Sequence, residues 1–75
     1  MTDGLTSFQK GIANLVRECR EEAGLTQAKL ARLLDVDQST ISRLERGEVE
    51  YSVTMLYKIA DVFDMDLELN FTARE

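Results

Sequence analysis

The polar side chains best placed to do chemistry cluster between Thr26 and Gly47, in the stretch TQAKLARLLDVDQSTISRLERG. Their chemistry is hydrogen bonding and charge. The chain has no histidine and one cysteine, Cys19, so no base stands ready to make a nucleophilic thiolate. Nor does it carry a metal-ligand cluster or a glycine-rich phosphate cradle, so the residues argue against an enzyme and call for no cofactor or metal. What remains is a set of short and long polar groups: Gln38, Ser39, Thr40, Ser42, Arg43 and Arg46. Among these, Gln can make paired hydrogen bonds to adenine and Arg to guanine. Ile41 and Leu44 are the apolar pair that would turn Gln38, Ser39, Ser42 and Arg43 outward on a helix.

Two short helices joined by a tight turn must position these groups. Thr26 is a good N-cap, because its hydroxyl can accept from an amide of the first turn. Leu30, Ala31 and Leu34 then share a helical face. Asp35-Val36-Asp37 breaks the pattern, and Asp37 can cap the second helix. Gly47 can take the left-handed conformation that ends it. Upstream, residues 1–5 read as a frayed tail and Thr6-Ser7-Phe8-Gln9 as a capping box. Phe8, Ile12, Leu15, Val16, Cys19 and Ala23 recur at helical spacing and predict a buried stripe on a first helix that stops at Gly24. Downstream, Ser52 can cap a fourth helix from Val53 to about Phe63, with Val53, Leu56, Ile59, Ala60 and Phe63 inward and Tyr57 partly buried.

The set TQxxLAxxLxVxxxTISRLERG resembles the helix-turn-helix of the Cro/cI-type (XRE) family of DNA-binding regulators. With the flanking helices the likeness covers roughly residues 8–65. The resemblance implies a lambda-repressor-like bundle of four to five helices, with the helix-turn-helix core at residues 26–47. It implies that the second motif helix enters the major groove, N-terminal end first. On that basis Gln38, Ser39 and Arg43 are the base-reading positions. Gln27 is expected to bond a phosphate and set the register, Thr40 and Ser42 to reach sugar or phosphate, and Arg46 and Lys10 to add phosphate contacts. Arg20 and Glu45 match a pair that forms a structural salt bridge in the family. Three residues depart from the pattern: Asp35 where the turn usually has Gly, Lys29 where Glu often completes a capping box, and Tyr51 where proline usually precedes the fourth helix.

Length and charge frame these expectations. Seventy-five residues make a single domain, residues 1–75, with so small a core that an oligomer would help it. Apolar content of 44% and charged content of 31% suit a soluble globular protein. There is no membrane-length apolar run, and the N-terminus does not read as a secretory signal, so the cytoplasm is the expected compartment. The net charge of −5 disfavours nucleic acid at first sight, but the acid is unevenly spread. Within residues 26–47, Lys29, Arg32, Arg43 and Arg46 outnumber Asp35, Asp37 and Glu45. Beyond Gly47, only Lys58 and Arg74 offset Glu48, Glu50, Asp61, Asp64, Asp66, Glu68 and Glu75.

The last segment, 65–75, changes period. Met65, Leu67, Leu69, Phe71 and Ala73 alternate with polar residues, which predicts a β-strand, with a short fifth helix as the alternative. Such a strand needs a neighbour, and a second copy of the chain would supply one, making Leu67, Leu69 and Phe71 a dimer interface. The expected function is a homodimeric, sequence-specific regulator of transcription, a repressor on a palindromic site in double-stranded DNA. Two rivals stand beside it. One is an antitoxin that also binds a toxin protein; the other is a protein-interaction module that has lost DNA.

Overall fold

The structure, a computed structural model that describes residues 2–74, carries the chain through four helices: α1 (Thr2–Glu22), α2 (Gln27–Leu34), α3 (Gln38–Glu45) and α4 (Val53–Val62). Each stops in the same way. A residue with positive φ follows the last turn: Gly24 (φ 73°), Asp35 (58°), Gly47 (72°) and Asp64 (59°). The next amide then reaches back to a carbonyl five residues earlier, as from Leu25 to Arg20 (3.1 Å), Val36 to Ala31 (2.9 Å), Glu48 to Arg43 (3.0 Å) and Met65 to Ala60 (2.8 Å). These bonds occupy carbonyls that the helix itself leaves orphaned.

The starts follow local chemistry too. The hydroxyl of Thr26 accepts from the amide of Lys29, and that of Ser52 from Met55, both at 3.0 Å. Asp37 occupies the N-cap position of α3 with extended backbone, but its side chain makes no capping bond. At the N-terminus the capping box is bypassed. α1 begins at Thr2, so residues 2–5 are helical and Thr6 lies inside the helix. Nothing there breaks a helix: Gly4 costs only about 1 kcal/mol relative to alanine.

Leu30, Ala31, Ile41 and Leu44 form the buried centre, with Leu34, Val36, Val49, Tyr51, Val62 and Phe63 packed against it. α2 packs chiefly on α3; α1 also packs on α3, and α4 on α2. Ala13 and Val16 of α1 and Ile59 of α4 are buried as well. The predicted stripe of α1 is only partly inside: Phe8 (66% exposed), Leu15 (59%) and Ala23 face solvent, and Ile12 and Cys19 are half-buried. Leu15 lies between buried Ala13 and Val16, so its exposure follows from the face it takes; for Phe8, more than a turn before Ala13, the reason is length. Twenty-one helical residues span about 31 Å, whereas eight span about 12 Å, so α3 cannot cover the whole of α1. On α4, Val53 and Tyr57 are likewise exposed rather than inward.

The C-terminal strand is not formed. Residues 65–74 have no regular secondary structure, and no strand exists among the described residues. A strand is held by its neighbour's amides and carbonyls, and the only candidate in the chain, residues 48–51, is a loop. The alternative fifth helix is also absent: after the left-handed Asp64 that follows α4, residues 65–74 form no further helix. Leu67 is half-buried, Leu69 is largely exposed and Phe71 is fully out in solvent.

Candidate nucleic-acid interface

α3 presents its polar residues as the sequence predicts. Ile41 and Leu44 are buried, Gln38, Ser39 and Arg43 are exposed, and Thr40 and Ser42 are half-buried. Ser39, Arg43 and Arg46 follow one another at spacings of four and three, so they form one stripe along the helix and its last turn. The stripe is therefore continuous from the first turn of α3 to its end.

What fixes α3 in place lies behind it. Glu45 is only 6% exposed, and its carboxylate accepts two hydrogen bonds from the Arg20 guanidinium: Nε to Oε2 at 2.6 Å and Nη2 to Oε1 at 3.0 Å. The remaining fork nitrogen, Nη1, donates to the carbonyl of Leu25 at 2.8 Å. A planar guanidinium matched to a carboxylate in this way fixes orientation as well as distance. The hydrogen bond to Glu45 raises the Arg20 pKa despite partial burial. Gln27, at the start of α2, donates from Nε2 to Oε1 of Glu45 at 3.1 Å. Glu45 thus ties together α1, α2 and α3. Gln27 is part of this network, a role its sequence position did not disclose; its second amide proton is the one left for a ligand.

A left-handed residue brackets each end of the turn–helix unit. Asp35 supplies it in the turn (φ 58°, ψ 47°), where an Asp is tolerated though less easily than Gly. Gly47 supplies it after α3. A side chain there would also meet Lys10: an added Cβ would come within 3.3 Å of the Lys10 Cγ. That contact brings Lys10 of α1 to the C-terminal end of α3. Lys10, Asn14, Arg17, Glu45, Arg46 and Glu48 line an open cleft of about 420 Å³ between the two helices. Arg17 donates to Asn14 at 3.0 Å.

Arg46 is already engaged. Its Nη1 donates to the Ser42 hydroxyl at 2.5 Å, its Nε to Glu48 Oε2 at 2.7 Å and its Nη2 to Glu48 Oε1 at 3.2 Å. The pair is exposed on both sides. The hydrogen bonds raise the Arg46 pKa and hold the Glu48 carboxyl below its ordinary value. Sequence reasoning missed Glu48. The signal was Gly47 between them, since a left-handed residue turns the chain back and lets the flanking side chains meet.

Among the described residues no group of side chains has metal-binding spacing, and no described helix is long and apolar enough to cross a membrane. Four helices, with the third held outward by a buried ion pair and carrying the polar stripe, define a helix-turn-helix domain. The helix-turn-helix family HTH_3 matches residues 16–70. The chain belongs to that family, of the Cro/cI (XRE) type. An HTH-type transcriptional regulator of Archaeoglobus fulgidus is 42% identical over 53 residues, covering 71% of this chain and 76% of that one. Antitoxin HipB of Escherichia coli O6:H1 is 32% identical over 73 residues, covering 91% and 78%. A solved HipA-HipB-O2-O3 complex contains a chain that superposes with a TM-score of 0.70 at 28% identity, covering 87% of this chain and 92% of that one.

Proposed function

We propose that this chain is a sequence-specific, DNA-binding transcriptional regulator that acts by occupying its site, as a repressor does. The observation that carries this reading is the exposed stripe of α3 held by the buried Arg20–Glu45 pair. A helix held this way can enter a major groove with its N-terminal end leading. Gln38, Ser39 and Arg43 would read base edges. Gln27, Thr40, Ser42, Lys10 and Arg46 would contact the backbone and set register. No bond is made or broken. The protein would act in the cytoplasm as a homodimer on a palindromic site, with the exposed apolar residues Leu69 and Phe71 of the tail and Leu15 of α1 facing the second copy.

A second role is favoured by the likeness to HipB, which carries the name antitoxin. A toxin partner would leave the DNA interface in use and engage another face. The acidic last third, from Glu48 onward, suits a basic partner.

Selection of bound sites from random duplexes, followed by footprinting, tests the DNA reading. A palindromic consensus is expected. On that site Arg43→Ala is expected to cost about 1–3 kcal/mol and to relax preference at one base pair. An equal loss on all sequences would make Arg43 a backbone contact. Binding with no salt dependence would instead support a protein-interaction module.

A further inference from the structure

Arg46 and Glu48 form a bidentate pair across the end of α3, and Arg46 lies in line with the residues proposed to read DNA. A guanidinium fork grips carboxylate and phosphate in the same geometry. Glu48 therefore occupies, from within the chain, the site on Arg46 that a backbone phosphate would take. We propose that Glu48 is a built-in competitor for phosphate, which restrains DNA binding until the duplex displaces it from Arg46. The inference rests on the DNA reading above and names a regulation of that same site.

Three features support it. First, each nitrogen of the fork is engaged by the chain itself: Nε and Nη2 donate to Glu48, and Nη1 donates to Ser42. Second, the pair is open to solvent, with side chains 55% and 52% exposed, so a phosphate can reach it. An exposed pair is also weak enough to be displaced. Third, the surrounding cleft also carries Lys10 and Arg17 of α1, and its other carboxylate, Glu45, is buried and paired with Arg20. Once Glu48 leaves, the cleft would present three positive groups to one stretch of backbone. The backbone of Glu48 is anchored by the hydrogen bond its amide donates to the Arg43 carbonyl, so the carboxylate stays close and can return. Such a competitor lowers affinity on every sequence alike, and so keeps a protein bound only where base contacts add to the phosphate contacts.

The test compares Glu48→Gln, Glu50→Gln, Arg46→Ala and the double variant Glu48→Gln/Arg46→Ala, by fluorescence anisotropy on the selected duplex across a salt series. All three positions are exposed, so helix content by circular dichroism should match the wild type. Glu48→Gln is expected to bind about two- to fivefold tighter, the range set by a surface ion pair. The slope of log K against log salt should steepen by up to about 0.9, because a displaced Glu48 carboxylate takes counterions back up and a glutamine does not. Glu50→Gln, which removes an equal charge without touching Arg46, is expected to gain less. In the Arg46→Ala background the Glu48→Gln gain should vanish. The proposal is overturned if Glu48→Gln binds no tighter while the wild type binds, if Glu50→Gln matches it, or if the gain persists without Arg46. If no variant binds duplex at any salt, the DNA reading fails and takes this inference with it.

Discussion

Tyr51 stands where the family usually has proline, and its hydroxyl has become a liability. The oxygen is buried and has no hydrogen-bond partner among the described residues. Burial, and secondarily the charge of Glu45, push its pKa upward. An unmade hydrogen bond of this kind costs the folded state, so Tyr51→Phe is expected to raise stability by about 1 kcal/mol at neutral pH. The pH dependence has a definite sign. Because the folded pKa is the higher one, the unfolded chain loses the phenol proton first, so this titration leaves stability untouched below the unfolded value of about 10 and lowers it as pH climbs toward the folded value. The wild type should therefore weaken more than Tyr51→Phe between pH 9 and pH 11. Urea midpoints across that range check this. A Phe variant less stable than wild type would mean the hydroxyl does have a partner.

At the scale of the elements, α3 depends on a contact far away in sequence. Removing the buried Glu45 carboxylate would strand the Arg20 guanidinium and the Gln27 amide at once. Glu45→Ala is expected to cost about 3 kcal/mol. A double-mutant cycle with Arg20→Ala should show a coupling well above about 0.5 kcal/mol, and additivity would dismiss the pair as a fixing device. The same region shows what a sequence can and cannot disclose. Thr26, Ser52 and Gly47 were legible because a cap is decided within three or four residues of chain. The Arg20–Glu45 pair was legible only through family resemblance, since no local rule joins positions so far apart. Asp37 stands where a cap should be and makes no capping bond. Phe8 and Leu15 have perfect helical spacing yet lie outside, because periodicity says which residues share a face and not whether anything covers it. Glu48 escaped notice because its partner lies across a helix end, where helical spacing rules stop applying.

At the scale of the whole molecule, the tail makes the same point about strands. Alternation in residues 65–73 is present in the sequence, but pairing must come from a second strand, and one chain does not contain it. What the fold leaves instead is an apolar surface: Phe71 and Leu69 in the tail, and Leu15 on α1 beside the groove that Leu67 lines. A chain this small has little other core to draw on. Deleting residues 66–75 is expected to convert a dimer to a monomer in sedimentation while helix content is retained, since all four helices end before that point. Operator binding should weaken sharply with it. A full-length chain that stays monomeric at high concentration would refute the homodimer.

The four matching helix ends carry one further consequence, for the lifetime of the folded chain. Two of them use glycine, but Asp35 and Asp64 hold the left-handed conformation with a side chain attached, at about 1 kcal/mol each. Together that is enough to change the unfolded fraction by about thirtyfold. Because cellular proteases act on the unfolded fraction, replacing Asp35 and Asp64 with glycine is expected to lengthen the chain's lifetime in a pulse-chase measurement. If the chain occupies DNA as proposed, its lifetime sets how soon the site clears after synthesis stops.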